Sequence, residues 1–301
     1  MKLAKLIAVV SCAAAMLGQA HAQESATLKK IKEAGAITLG VRESSIPFSY
    51  LDGKQEYQGY SLELCTRIVA AIQKQLGMSK LKINLNPVTS ATRVPLMANG
   101  TIDLECGSTT NNVERQKQVA FSPTTFLTAT RLVAKKAANI NSLRDLRGKT
   151  LVSTSGTANL KELSEINAAK NLGINIVTAK DHAEAFLMVE TGRAAAFGMD
   201  DILLAALAAS AKSPDDYAIS RESLFAEPYA LMMRRDDPGF KKMVDAALTE
   251  IYASGEINRI YAKWFQSPIP PKGINLNWPM SEALKRAYAN PTDSGEPGAY
   301  R

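Results

Sequence analysis

The segment ECGSTTNNVERQK at residues 105–117 combines several groups that can donate hydrogen bonds to an anion. The pattern TIDLEC predicts a strand over 102–106, followed by a turn at 107–110 and a short helix that begins near Asn112 and carries Arg115. Hydroxyls, free backbone N–H groups and a guanidinium suit a carboxylate, which arginine binds through two parallel hydrogen bonds. The alternative is a well-capped helix with a surface arginine, and this segment alone does not decide between the two.

Two further segments have the same strand-to-helix character. LVSTSGTANL at 151–160 runs from a strand into serine, threonine and glycine, but it lacks the lysine and the spacing of a phosphate-binding GxxxxGK[ST] loop. AAFGMDD at 195–201 delivers Asp200 and Asp201 to the start of a helix. One of these carboxylates is explained by capping that helix, and the other would be free to meet a cation such as an amino group.

Arginines recur at the ends of predicted elements in the first half of the chain. Arg42 follows the strand AITLGV, and TSATR at 89–93 places Ser90 and Arg93 at another strand-to-helix turn. Isolated arginines are usually solvated. Three arginines at the ends of elements of one sheet, Arg42, Arg93 and Arg115, indicate an anion site instead. Ligands collect at such edges of open α/β sheets.

Histidine and cysteine are scarce. His182 in AKDHAEAF begins a predicted helix that runs to about residue 191, and solvent exposure is its alternative explanation. Cys65 lies in a predicted helix and Cys106 ends a predicted strand. They can pair in an oxidising compartment, or each can be a buried thiol in an apolar pattern. Beyond the first 22 residues the chain has only two cysteines and one histidine, which do not suffice for a structural zinc site, so we expect no metal.

Short apolar runs alternate with helical patterns along the chain, which predicts the α/β class. The first unit runs from AITLGV to TIDLEC, and the pattern restarts after a gap from RLVAKK at 131–136. The second half therefore has its own sheet, and two lobes follow. TATRLVAKK and FAEPYALMMRR are β-rich and flank the second unit, so we expect them to link the lobes as a hinge.

The first 22 residues have the features of an export signal: Lys2 and Lys5, an apolar run, and the cleavage pattern AHA at 20–22. A lipidated Cys12 is the alternative, although the apolar run before it is short. Removing 22 of 301 residues leaves 279, more than one core usually fills, and lowers the formal charge from +7 to +5. The remaining charges are interspersed, which argues against nucleic acid, and no later apolar run is long enough to span a bilayer.

Six segments together resemble the periplasmic solute-binding family of bacterial ABC importers for polar amino acids, and within it the glutamate/aspartate binders. They are RESSIPFSYLDG, TSATRVPLMANGTIDLECGSTTNNVERQKQVAFS, TSGT, AKDH, DDPGFKK and KWFQSPIPP. The resemblance implies a two-lobed clamshell with a mixed sheet flanked by helices in each lobe and two hinge strands. We expect a signal peptide at 1–22, the first lobe at 23–130, the second at 131–227, and a return to the first lobe with C-terminal helices at 228–301.

The resemblance also implies a ligand site without a cofactor. The arginine matching Arg115 would hold the α-carboxylate with the hydroxyl turn of Ser108 and Thr110, and Asp200 with Ser108 would take the α-ammonium group. The pocket for the side-chain carboxylate would consist of Arg42, Ser90, Arg93 and His182. The second lobe would add the hydroxyl of Thr157 and N–H groups. Close relatives often carry another threonine where this chain has Ala158, which costs a hydroxyl.

The implied protein is a monomeric periplasmic binder that passes L-glutamate or L-aspartate to ABC permease subunits. A periplasmic dehydratase on the same scaffold is the main alternative, but no second carboxylate is placed to act as its acid and no nucleophile can be tied to His182. A ligand sensor or a binder of another polar amino acid are further alternatives. The sequence therefore favours a non-enzymatic binding protein.

Overall fold

The computed structural model describes residues 25–300. The predicted signal peptide and the alternative lipidation site at Cys12 lie outside the described residues. Within 25–300, no helix combines the length and the apolar character needed to cross a membrane.

Helices cover both halves of the described chain. Each amphipathic helix packs its apolar stripe on a sheet or on a neighbouring helix; in α2, for example, Leu64, Cys65, Ile68 and Ile72 are buried. The α-helices are α1 (Ala26–Ala34), α2 (Tyr60–Gln75), α3 (Arg93–Ala98), α4 (Val113–Gln116), α5 (Ala158–Ala169), α6 (His182–Glu190), α7 (Asp201–Ser210), α8 (Pro238–Ala253), α9 (Glu256–Phe265) and α10 (Glu282–Ala289). Short 3-10 turns occur at Lys136–Ala138, Leu143–Leu146, Pro214–Asp216 and Pro297–Tyr300.

Strands alternate with these helices as the sequence predicts. They are β1 (Ala36–Val41), β2 (Ser44–Ser45), β3 (Ser49–Leu51), β4 (Tyr57–Gln58), β5 (Lys82–Pro87), β6 (Leu104–Glu105), β7 (Val119–Phe121), β8 (Phe126–Lys135), β9 (Thr150–Thr154), β10 (Asn175–Ala179), β11 (Ala196–Asp200), β12 (Tyr217–Ile219), β13 (Ala226–Tyr229) and β14 (Met232–Arg234). The predicted strand at 102–106 is confirmed only over two residues, Leu104 and Glu105.

Two mixed sheets form the centres of the two lobes, which confirms the predicted fold class. The first has the order β5-β1-β6-β14-β7, with β5, β1 and β6 parallel to one another. The second has the order β10-β9-β11-β8-β12, with β10, β9 and β11 parallel. Parallel strands end at the same edge of a sheet, so the turns that follow them are brought together. A small antiparallel sheet, β2-β3-β4, adjoins the first lobe.

Two strands connect the lobes, as the β-rich segments predicted. β8 and β13 pair antiparallel, with Phe126 opposite Tyr229 and Ala129 opposite Ala226. At their first-lobe ends Phe126 and Tyr229 enter an aromatic cluster with Phe48 and Phe265, whose ring centroids lie 4.8–6.2 Å apart in the paired rings. The aromatic cluster anchors both connecting strands to the first lobe, and β8 continues into the second sheet between β11 and β12.

The two cysteines within the described residues form a disulfide. Cys65 of α2 and Cys106, just after β6, are joined with their Cα atoms 6.1 Å apart. Both residues are also fully buried, as their apolar sequence patterns predict, so pairing and burial occur together. The disulfide fixes the start of the hydroxyl turn at 107–110 to the helix that covers the first sheet.

We expect the double variant Cys65→Ala/Cys106→Ala to be less stable than the wild type by about 4 kcal/mol. The two cysteines are 41 residues apart in sequence, and cross-linking a loop of that size removes roughly this much chain entropy from the unfolded state. Urea unfolding with and without reductant measures the difference. Reductant should destabilise the wild type but not the variant, and equal free energies of unfolding for both oxidised proteins would contradict the expectation.

Candidate functional site

The site lies where the carboxyl edges of the two sheets meet. The first lobe contributes the turns after β1, β5 and β6, and the second lobe contributes the turns after β9, β10 and β11. The lobes touch at the backbone of Gly156, since a Cβ atom built there would lie 2.5 Å from the Cα atom of Ala91. Gly156 also has φ of +77°, which favours glycine. Only a residue without a side chain permits this close approach.

Arg42 joins the two lobes at one end of the site. Its Nη2 donates to Ser90 Oγ at 2.8 Å and lies 3.4 Å from His182 Nε2 of the second lobe. The other ring nitrogen of His182 is 2.8 Å from Thr154 Oγ1. His182 begins α6 as predicted, but it is only 1% exposed, so its alternative explanation as a solvent-exposed helix start is wrong.

His182 is neutral at neutral pH. Burial, followed by the positive charges of Arg42 and Arg93, holds its pKa well below the ordinary value. Because Arg42 can only donate, its contact assigns the acceptor role to Nε2 and the proton to Nδ1, which donates to Thr154. The Thr154 hydroxyl can also donate, so it can serve the opposite tautomer once Nε2 turns from Arg42 to another acceptor.

Arg93 is held by the hydroxyl turn. Its Nη1 donates to the carbonyl of Ser108 at 3.0 Å and to Thr109 Oγ1 at 2.7 Å, and that hydroxyl donates to Glu105 Oε2 at 2.6 Å. Glu105 is fully buried beneath the arginines. Gly107 makes this packing possible, because a Cβ atom there would lie 2.2 Å from Glu105 Oε1 and 2.9 Å from the Arg42 side chain.

The arginines remain cationic although they crowd one another. Burial, reinforced by neighbouring Arg93, lowers the pKa of Arg42 and that of Arg115 to about 10, and burial also lowers the pKa of Arg93. All three therefore keep their protons at neutral pH. Three buried donors in this group have no hydrogen-bond partner within residues 25–300: Arg42 Nη1, Arg93 Nε and Ser108 Oγ. A buried donor without a partner is costly, so these atoms mark where an acceptor fits.

Arg115 bridges the lobes at the other end. Its Nη1 donates to the carbonyl of Thr110 at 2.8 Å, and its Nη2 donates to the carbonyl of Gly156 at 3.2 Å. Asn112 caps α4 by accepting from the backbone N–H of Arg115 at 2.9 Å. The predicted helix start near Asn112 is thus confirmed. The alternative of a free surface arginine is wrong, because Arg115 is partly buried and bonded to both lobes.

The C-terminal tail holds the turn that carries Arg115. The carbonyl of Asp293 accepts from Asn111 Nδ2 at 2.8 Å and from Gln116 Nε2 at 2.9 Å. Gly295 lies so close to this turn that a Cβ atom on it would be 2.8 Å from the carbonyl carbon of Asn112. The position of Arg115 therefore depends on hydrogen bonds that span 182 and 177 residues of sequence.

Thr157 uses its hydroxyl within the second lobe. It is the N-cap of α5, donating to the carbonyl of Thr154 at 2.7 Å and accepting from the N–H of Leu160 at 3.2 Å. The resemblance to the solute-binding family predicts a ligand contact for this hydroxyl instead. Its proton is already engaged in the cap, so a contact from Thr157 to a ligand stays a prediction that relies on the backbone and the remaining lone pair.

The two consecutive aspartates have separate environments. Asp201 accepts from Thr128 Oγ1 at 2.6 Å and from the N–H of Ile202 at 2.8 Å, and it lies 3.4 Å from Arg131 Nε. Asp200 precedes α7 without capping it, and it is 1% exposed. The expectation that one carboxylate caps the helix is not met as stated, because Asp200 at the N-cap position makes no capping bond. Asp201, the first helical residue, accepts from the N–H of Ile202 instead, which leaves Asp200 at the cleft.

Asp200 is bonded to residues that the sequence analysis did not identify. Asn159 donates to Asp200 Oδ1 at 2.8 Å, and the hydroxyl of Tyr229 donates to Oδ2. Burial, and then the charge of Glu227, raises the pKa of Asp200 to about 8. Glu227 is thus a second buried carboxyl group beside Asp200, and the expectation that no second carboxylate lies at the site is wrong. A signal for Glu227 was present in the sequence, since it is a single glutamate in the otherwise uncharged segment FAEPYALMM. Asn159 and Thr154 gave no comparable signal.

Comparisons with known proteins agree with this architecture. Residues 37–267 match the family described as bacterial extracellular solute-binding proteins, family 3. The chain is 55% identical to the L-glutamate/L-aspartate-binding protein of Pseudomonas aeruginosa, over 89% of each chain. It is 45% identical to the glutamate/aspartate import solute-binding protein of Salmonella typhimurium, over 97% of this chain and 99% of that one.

A solved structure shares the fold. A mutant of ArgBP from T. maritima matches with a TM-score of 0.70 and 26% identity, covering 79% of this chain and 98% of that one. Both curated relatives are named as binding proteins and neither as an enzyme. With a family match over most of its length and relatives of this similarity, the chain belongs to the bacterial extracellular solute-binding proteins of family 3.

Proposed function

We propose that the protein binds L-glutamate or L-aspartate between its two lobes and delivers it to the permease of an ABC importer. The observation that carries the proposal is the set of three cationic guanidinium groups near Asp200, with buried donors on Arg42, Arg93 and Ser108 that have no partner within residues 25–300. An acidic amino acid has two carboxylates and one ammonium group, so its charges complement those of the site. The names of the relatives support the same ligand class.

Each end of the site would hold one carboxylate. Arg115, with the turn of Ser108 and Thr110, would bind the α-carboxylate that every amino acid has. Arg42, Ser90, Arg93 and His182 would bind the side-chain carboxylate, with the proton of His182 moved to Nε2 so that the ring donates. Asp200 would take the α-ammonium group, and the turn at Gly156 and Thr157 would close over the ligand.

Specificity would come from the Arg42 end. A side-chain amide presents an NH₂ group to guanidinium donors, which leaves a buried charge unpaired and costs several kcal/mol. We propose further that the mature chain is a periplasmic monomer released from the signal peptide at 1–22. The lobe boundaries at 130/131 and 227/228 remain our proposal, and they fall within the paired strands β8 and β13.

Calorimetric titration of the mature protein with glutamate, aspartate, glutamine, asparagine and glutarate tests the proposal. Glutamate or aspartate should bind at least about a hundredfold more tightly than the matching amide, since each ~1.4 kcal/mol is a tenfold change in affinity. Equal affinities for the acid and its amide would contradict the proposed function.

Two arginine variants separate the ends of the site. Arg42→Met should remove most of the preference for glutamate over glutamine, because it deletes a partner of the side-chain carboxylate only. Arg115→Met should weaken both ligands by similar factors, since both have the α-carboxylate. Arg144→Met changes an exposed arginine outside the site and is the control. An unchanged ratio in Arg42→Met would refute the assignment of the pocket, even if glutamate still binds.

Replacing Gly156 with alanine should weaken glutamate binding at least about tenfold by keeping the lobes apart. The new Cβ would meet the backbone of Ala91, which has no flexible end to move aside. Gly148→Ala is the matched control, because its φ is +71° and no atom lies within 4 Å of a Cβ built there. Both variants should lose about 1 kcal/mol of stability through the positive φ.

Titration calorimetry and thermal melting on the two glycine variants give the comparison. If Gly148→Ala weakened glutamate as strongly as Gly156→Ala, backbone strain and not lobe contact would be responsible, and the closing role of Gly156 would be disproved.

A further inference from the structure

Glu227 lies in the second connecting strand with its side chain on the cleft side. It is 1% exposed. Side chains two residues apart in a strand point to the same face, and Tyr229 reaches Asp200 from that face. Thr110 forms a β-bridge with Tyr229, which places Glu227 beside the hydroxyl turn that is assigned to the ligand. Glu227 thus borders the proposed ammonium position from the hinge.

The hydrogen bonds of Glu227 are incomplete. Its Oε1 accepts a long bond of 3.4 Å from Thr130 Oγ1, and its Oε2 makes no hydrogen bond of normal length in the part of the chain that the structure describes. The hydroxyl of Thr110 and the carboxyl of Glu162 lie close to this carboxyl group, and Glu162 Oε2 lacks a partner of normal length as well. Asp200, in contrast, already accepts from Asn159 and from Tyr229. An ammonium group has three N–H donors, which a single carboxylate with two bonds already made does not satisfy well. Glu227 Oε2 therefore offers a further acceptor beside Asp200.

Charged and titratable groups face Glu227 from every neighbouring element. They are Glu162 of α5, Asp200 of β11, Arg115 of α4, Arg93 of α3 and Tyr229 of β13 itself. Burial, with the like charge of Glu162, raises the pKa of Glu227 to about 8, and burial raises that of Glu162 to about 7. With the pKa of Asp200 also near 8, Asp200 and Glu227 are mostly protonated at neutral pH, whereas Glu162 is only partly protonated.

We propose that Glu227 is a second carboxylate partner, beside Asp200, of the ligand's α-ammonium group, and that ligand binding releases a proton from this acidic cluster to solvent. The proposal rests on the proposed function. A nearby positive charge favours the ionised carboxylate, so the proton leaves when the ammonium group arrives. Because binding then releases protons, affinity rises with pH between about 6 and 8, by about tenfold per pH unit for each proton released.

Calorimetry in two buffers of different ionisation enthalpy, phosphate and Tris at pH 7, counts the protons released. Glutamate should release protons from the wild-type protein, whereas glutarate, which has both carboxylates but no ammonium group, should release essentially none. His182 and the arginines meet the same carboxylates in both ligands, so their contribution cancels in this comparison. Equal proton release by the two ligands would overturn the proposal, and this comparison needs only the wild-type protein.

Glu227→Gln keeps the shape of the side chain and the acceptor for Thr130. We expect this variant to bind glutamate about tenfold or more weakly, to bind glutarate with nearly unchanged affinity, and to lose most of the proton release. Glu222→Gln makes the same chemical change at an exposed position of the same segment and should behave as the wild type. Thermal melting of the ligand-free proteins verifies that both variants fold.

Other outcomes overturn the proposal. Wild-type affinity and proton release in Glu227→Gln would remove Glu227 from the site, and equal losses for glutamate and glutarate would make its role structural. In both cases glutamate binding by the wild type would leave the proposed function intact. Absence of glutamate binding by the wild type at every pH between 6 and 8 would instead reject the proposed function, and this inference with it.

Discussion

The confinement of three guanidinium groups at one edge of one sheet is the constraint on which the rest of the structure depends. Each buried ion loses hydration worth several kcal/mol, and like charges at short range add repulsion. The fold compensates in part with fixed acceptors: the hydroxyls of Ser90 and Thr109, the carbonyls of Ser108 and Thr110, and the carboxylate of Glu105. Arg42 Nη1 and Arg93 Nε still have no hydrogen-bond partner within residues 25–300, and in the proposed complex the carboxylates of the ligand would supply the acceptors.

Much of the first lobe can be understood as support for this charge cluster. Gly107 lets the turn pass over Glu105, the Cys65–Cys106 disulfide fixes the start of that turn, and the carbonyl of Asp293 holds its far end. Rigid support matters because an arginine pays side-chain entropy for each fixed position. The second lobe adds His182 in its neutral form, so it meets Arg42 without adding a fourth positive charge.

The connecting strands link the charged site to the hinge between the two lobes. Their first-lobe ends are packed in the aromatic cluster, while Glu227 and Tyr229 turn toward the cleft and the carboxylate of Asp200. A ligand that pairs with groups on both lobes and on the hinge favours the closed arrangement by its differential affinity for that state. The acidic cluster around Glu227 would thereby connect charge recognition with lobe closure.

The sequence predicted the elements that follow simple periodicity and turn chemistry. β1, α2, the helix start at Asn112 and the helix start at His182 lie where the patterns placed them. It could not choose between the two alternatives for Cys65 and Cys106, because apolar burial and pairing have the same local pattern. The sequence also did not predict the capping bond of the Thr157 hydroxyl or the contacts of Asn159 and Glu227. These contacts depend on which strands become neighbours in the folded sheet.

Small-angle scattering on the mature protein, with and without saturating glutamate, tests most directly the claim that an acidic amino acid closes the two lobes over the arginine cluster. The account predicts a smaller radius of gyration with glutamate, and a value close to that of the ligand-free protein with glutamine at the same concentration. An unchanged radius of gyration at saturating glutamate would contradict it.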